Sequence, residues 1–213
     1  MKTDDLIKAL AADTATPVAP ISRTISVAVA AGAITAAAIF AATLGMRADF
    51  GYVFMNSWQF VLKFIFTLGV AIPAFLLVQK LARPDGDGSS IVPILVVPVI
   101  VLLAAIGFEF VQNPSGTVSD VIFAPNWLKC FALIPLLSMT PLAAVLYALK
   151  QGAPANPALA GGVGGLLSAA MGATLYASHC NADSPMFVGV WYPLGIAIIV
   201  AVGALIGSRL LRW

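Results

Sequence analysis

Residues 91–111 read IVPILVVPVIVLLAAIGFEFV, with a single ionisable side chain, Glu109, close to the far end. A bilayer core of about 30 Å takes roughly 20 such residues as a helix, because only a helix pairs its own backbone N–H and C=O groups where water is absent. Five further stretches have the same character, at about 24–45, 58–79, 128–149, 158–178 and 190–208. Their apolar residues run continuously, whereas the strands of a transmembrane barrel alternate. The expected fold is therefore an all-α integral membrane protein, a six-transmembrane-helix bundle.

Composition agrees. Of 213 residues 61% are hydrophobic and 9% charged, with a mean hydropathy of +1.00. A soluble domain carries about 25% charged residues, so this chain lacks the polar surface to cover a water-facing globule. The formal net charge is +2. No Lys/Arg stripe of the kind that binds nucleic acid is present, and hydrophobicity this high excludes disorder. The expected division is 1–23, an N-terminal segment, and 24–213, the six-helix domain. The apolar run at 24–45 exceeds the roughly 7–15 residues of a signal-peptide core, and Asp4, Asp5 and Asp13 precede it, so it reads as a retained helix.

Six spans place both termini on one side. That side holds Lys2, Lys8, Arg23, Lys80, Arg83, Lys150, Arg209 and Arg212, and the other holds Arg47, Lys63 and Lys129. The positive-inside rule makes the first side cytoplasmic. Trp58, Trp127, Trp191, Tyr192 and Trp213 are expected at span ends, where rings with one polar edge favour the headgroup region. Gly161 and Gly165, continued by Gly172, and Gly203 and Gly207 have the spacing that lets membrane helices pack closely.

Chemistry is concentrated in Cys130 and Cys180. The fourth span starts on the outer side and the fifth ends there, so hairpin geometry puts both cysteines in one leaflet. A disulfide, a redox-active dithiol and a thiolate metal site are all open at this point, as is the plain reading of two small buried residues. His179, beside Cys180, is able to lower a thiol pKa or to complete a soft-metal site, which makes Cys130, Cys180 and His179 the candidate ligands. Glu109 and Asp183 are auxiliary candidates. No constitutive cofactor is implied; softness favours transient Zn²⁺, Cd²⁺ or Cu⁺.

The N-terminal residues 3–13 read as a short amphipathic helix. Thr3 caps it, Asp4 and Asp5 lie in the first turn where the macrodipole favours anions, and Leu6, Ile7, Leu10 and Ala11 form an apolar stripe. A helix this short is marginal alone in water, so the stripe is expected to bind a surface. Three acids disfavour anionic lipid and leave a protein groove as the favoured partner.

Several blocks resemble a known family. They are Thr3-Asp4-Asp5-Leu6-Ile7-x-x-Leu10-Ala11-x-Asp13, Trp127-Leu128-Lys129-Cys130, Ile134-Pro135-Leu136-Leu137-Ser138 and Pro157-Ala158-Leu159-Ala160-Gly161. The most specific is Tyr176-Ala177-Ser178-His179-Cys180-Asn181-Ala182-Asp183-Ser184-Pro185, followed by Phe187 and Trp191-Tyr192. In this order they resemble the NrsF-like membrane anti-sigma factors of proteobacteria, over essentially the whole chain. The resemblance implies a six-span protein of the bacterial inner membrane that sequesters an extracytoplasmic-function sigma factor, is not an enzyme and does not itself bind nucleic acid. It implies that Cys130 and Cys180 sense heavy-metal or oxidative stress. It assigns Asp4, Asp5, Leu6, Ile7, Leu10 and Asp13 to the sigma-binding surface. The competing classes are a small transporter or channel, disfavoured because Lys63, Glu109 and Lys129 lie near span ends, and a thiol oxidoreductase, disfavoured by the absence of Cys-x-x-Cys.

Overall fold

A computed structural model of the chain describes residues 3–5, 7–8, 20–112, 118–125 and 127–212. Among these there is no strand, and six helices are long and apolar enough to cross a membrane. These six are α1 (Ile21–Thr43), α3 (Trp58–Leu81), α4 (Val92–Gln112), α6 (Trp127–Leu149), α7 (Pro157–Ala177) and α8 (Pro185–Leu210). Two short helices lie between them, α2 (Phe50–Asn56) and α5 (Val118–Ile122).

The helix ends follow from local chemistry. Asn156 and Ser57 cap α7 and α3, accepting from Leu159 N–H at 3.0 Å and Phe60 N–H at 3.3 Å. Pro157 and Pro185 stand first in α7 and α8, where a missing N–H costs nothing. Helix α1 stops at Gly45, whose φ of 66° is the left-handed conformation that only glycine adopts freely; its N–H returns to the Phe40 carbonyl at 2.9 Å.

Helix α7 is the axis of the bundle, with α3, α6 and α8 packed around it. Its five glycines explain this position. A Cβ on Gly161 would strike the Gly203 carbonyl, and one on Gly207 would lie 2.7 Å from Gly161 Cα, so α7 and α8 touch backbone to backbone as the spacing predicts. Gly172 departs from that expectation. It faces Ile134 and Ser138 of α6, as Gly164 faces Val145 and Leu149 of the same helix.

Helix α1 packs on α6, and α4 lies outermost against α3 and α8. It has the highest mean hydropathy of the spans, 2.8, yet only 11% of it is buried. The most exposed of these helices is thus also the most apolar, a pattern suited to contact with lipid rather than water.

Trp191 and Tyr192 correct an expectation. Helix α8 starts at Pro185 rather than near 190, so both rings lie in its second turn and are buried. Trp191 stacks against Trp127 and donates its indole N–H to the Ile122 carbonyl at 2.7 Å. Of the N-terminal segment, Thr3, Asp4, Asp5, Ile7 and Lys8 are helical and exposed; Leu6, Leu10, Ala11 and Asp13 lie outside the described residues, as does Trp213.

Candidate functional site: a buried thiol pair in an ion-paired loop

Cys130 sits in the first turn of α6, and Cys180 lies three residues beyond the end of α7. The chain leaves α7 in a tight turn, with His179 N–H and Cys180 N–H both donating to the Tyr176 carbonyl at 3.0 Å. That turn folds Cys180 back over the helix end and brings its Sγ to 3.7 Å from Cys130 Sγ. Both thiols are free and buried. The hairpin argument thus placed the pair correctly, and the pair is unbonded.

Residues 178–184 are tied to three other parts of the molecule. The α1–α2 connection approaches first: Arg47 N–H donates to the Ser178 carbonyl at 3.1 Å, and His179 Nδ1 bonds the Gly45 carbonyl at 3.0 Å. Because a carbonyl only accepts, the proton is assigned to Nδ1. From α3, the Lys63 ammonium donates to the Cys180 carbonyl at 3.0 Å and to the Asp183 carboxylate. From α4, Glu109 accepts from Ser184 Oγ at 2.9 Å and from Met186 N–H at 3.0 Å, so its carboxylate stands at the positive N-terminal end of α8.

Two cations share Asp183. Lys63 is fully buried, and Arg47 reaches Asp183 at 3.0 Å while gripping Asp49 with two parallel bonds of 2.7 and 2.9 Å. Both cations also lie over the ring of Phe60, at 5.3 Å for Arg47 and 5.4 Å for Lys63. A buried ammonium is costly unless paired, and here a carboxylate, a carbonyl and an aromatic face compensate it. The guanidinium of Arg47 holds the Asp49 carboxyl below its usual range. The Cys130 thiol, and after it the Lys63 ammonium, hold the Cys180 thiol below the usual thiol range against the opposing effect of burial.

A cavity of about 340 Å³ opens beside the pair, lined among others by Arg47, Lys129, Tyr176, His179 and Cys180. It gives small solutes a polar approach to Cys180. Two thiolates on one tetrahedral Zn²⁺, at Zn–S of about 2.3 Å, stand about 3.8 Å apart, so the sulfur spacing suits two corners of such a site. Among the described residues no group of three or more His, Cys, Asp and Glu is placed to hold a metal. His179 is engaged with Gly45, Glu109 with the start of α8, and Asp183 with the two cations, so none of these candidates joins the sulfurs as a third ligand here.

Lys63 and Arg47 were missed as site residues by sequence reasoning. The available signal was a lysine five residues into an apolar helix, at the same end of the bundle as an aspartate in a short loop. Intramembrane charges of this kind find partners.

Residues 10–213 match the NrsF family, described as negative regulator of sigma F. The probable anti-sigma-F factor NrsF of Azospira oryzae is 35% identical over 214 residues, covering 100% of both chains. The anti-sigma-F factor NrsF of Caulobacter vibrioides is 32% identical over 215 residues, again over 100% of both. No solved structure matches the chain. These relatives are regulatory proteins rather than enzymes. Identity at this level from end to end, spanning the thiol loop and all six long helices, establishes that the chain belongs to the NrsF family of sigma-factor regulators.

Proposed function

We propose that this chain is an anti-sigma factor that holds sigma F, an extracytoplasmic-function sigma factor, at the cytoplasmic face of the bacterial inner membrane. It releases the factor when its periplasmic thiols meet oxidants or soft metal ions. The observation that carries this reading is the unbonded Cys130–Cys180 pair at 3.7 Å, buried in a chain whose full-length relatives are named anti-sigma-F factors. Two thiols at that spacing respond to an oxidant by forming a disulfide and to Zn²⁺ or Cd²⁺ by sharing it. The eight-to-three division of Lys and Arg supports a periplasmic thiol end and cytoplasmic termini.

The holding surface is the other end. Ile7 is 59% exposed, an apolar anchor without a partner within the described residues, flanked by the exposed Asp4 and Asp5. Asp4, Asp5, Leu6, Ile7, Leu10 and Asp13 form the contact with the sigma factor in this reading. A ligand shifts an equilibrium only by its differential affinity for two states. A hundredfold weakening of sigma binding needs about 2.7 kcal/mol of coupling between thiols and holding surface, an ordinary size for allostery.

A reporter for the sigma F-dependent promoter tests this in cells carrying Cys130→Ser, Cys180→Ser or both. Induction by cadmium and by hydrogen peroxide is expected to disappear in all three. Induction that persists unchanged in the double variant would overturn the sensing assignment.

A further inference from the structure

Beyond its effect on the Cys180 thiol, the fully buried Lys63 ammonium calls for a structural use. Its position suggests one. The Cys180 backbone is pinned by Lys63 through its carbonyl, and Lys63 and Arg47 together hold Asp183 three residues on. Arg47 belongs to the connection that leaves α1, and its own N–H is bonded to Ser178. Helix α1 in turn is the span that follows the N-terminal segment.

We propose that the Lys63–Asp183–Arg47 bridge is the relay of the thiol sensor, converting a change at sulfur into a displacement of α1. This rests on the sensing role of the two cysteines. The step at sulfur is the two-electron oxidation of Cys130 and Cys180 by a hydroperoxide. With hydrogen peroxide, both thiols lose their hydrogens, one S–S bond forms, the O–O bond breaks and two water molecules leave. Bond formation shortens the sulfur separation from 3.7 Å to about 2.05 Å. Cys130 is fixed in the first turn of a packed helix, so the movement falls on Cys180 and its loop. That loop cannot move alone: its carbonyl and Asp183 carry Lys63 and Arg47 with it, and Ser178 and His179 pull on Arg47 and Gly45 at the end of α1. Rigid elements joined by hydrogen bonds and ion pairs are the physical means by which a local shift becomes a concerted one.

The test uses the full chain in membrane vesicles with sigma F bound, treated with hydrogen peroxide. Disulfide formation is read by mass and sigma release by co-sedimentation. The variant is Lys63→Met/Asp183→Asn, which removes both charges and leaves neither buried alone. It is expected to hold sigma F when reduced and to form the disulfide, but to release about tenfold less sigma F than the unaltered chain. Lys63→Arg, which keeps the cation, is expected to restore release. Undiminished release by the double variant with its disulfide formed would overturn the relay, and so would loss of sigma F from that variant before oxidation, which would make the bridge part of the holding state. If the unaltered chain forms its disulfide and still holds sigma F, the sensing reading fails, independently of the bridge.

Discussion

The two ends of the bundle are built differently. At the thiol end, the α1–α2 connection, α3 and α4 converge on residues 178–184 through a fully buried lysine, a shared aspartate and a carboxylate that caps another helix. At the opposite end, the connections between α3 and α4 and between α6 and α7 are joined by a backbone bond, Ala153 N–H to the Ala82 carbonyl at 3.1 Å. Its ionic side chains are exposed and make local bonds, such as Lys80 to Ser90 and Ser89 to Asp87. Buried ion pairs are costly to form and costly to break, whereas exposed ones contribute little. The contrast therefore separates a rigid end, where a change at two atoms is felt by several elements, from an open end whose ionic side chains bond locally at the surface.

The sharpest way to break that contrast is to remove the open end. Deleting residues 1–19 leaves α1 whole and is expected to reduce co-purification of sigma F with membranes to background, while thermal unfolding of the bundle stays where it was. Undiminished co-purification would remove the N-terminal helix from the contact.

Next in size is the rigid end. Asp183→Ala leaves Lys63 buried without its carboxylate and is expected to cost about 3 kcal/mol in thermal unfolding in detergent. The matched change at the open end, Asp87→Asn, is expected to leave the unfolding temperature where it was, because Asp87 is exposed and its hydrogen bonds among the described residues are to Ser89, two positions away. Equal effects would contradict the division.

Glu109→Gln is milder. The amide oxygen still accepts from Ser184 and Met186, but the negative charge at the start of α8 is lost, so a cost of about 1 kcal/mol is expected. The smallest effect concerns Asp49, whose carboxyl Arg47 holds below its usual range. A depressed folded-state pKa contributes stability above the unfolded value of about 3.9 and loses it as pH falls through the lower folded value. Asp49→Asn should thus lower stability slightly at neutral pH and leave it unchanged at strongly acid pH, so that the acid limb of a stability-against-pH curve is flatter.

Much of this was legible in the residues. Continuous apolar runs gave all six long helices, and the hairpin between the fourth and fifth spans was enough to put Cys130 and Cys180 at one end of the bundle; the turn after α7 then brings their sulfurs together. The glycines at 161, 165, 203 and 207 forecast the α7–α8 contact. What escaped was tertiary. Nothing local tells that Lys63 turns to Asp183, or that Glu109 and His179 serve a helix end and a backbone carbonyl rather than a metal, since those partners lie scores of residues away. Trp191 and Tyr192 differ for a simpler reason: Pro185 begins α8 earlier than hydropathy indicates, so rings expected at the first residues of a span lie further along it and are buried.

The central claim is that chemistry at the rigid end governs binding at the open one. Its most direct test is the affinity of purified sigma F for the full chain in lipid nanodiscs, measured before and after oxidation of Cys130 and Cys180. A loss of about a hundredfold on oxidation, reversed by reductant and absent in Cys130→Ser, is the predicted result. The same affinity in both redox states would contradict the account.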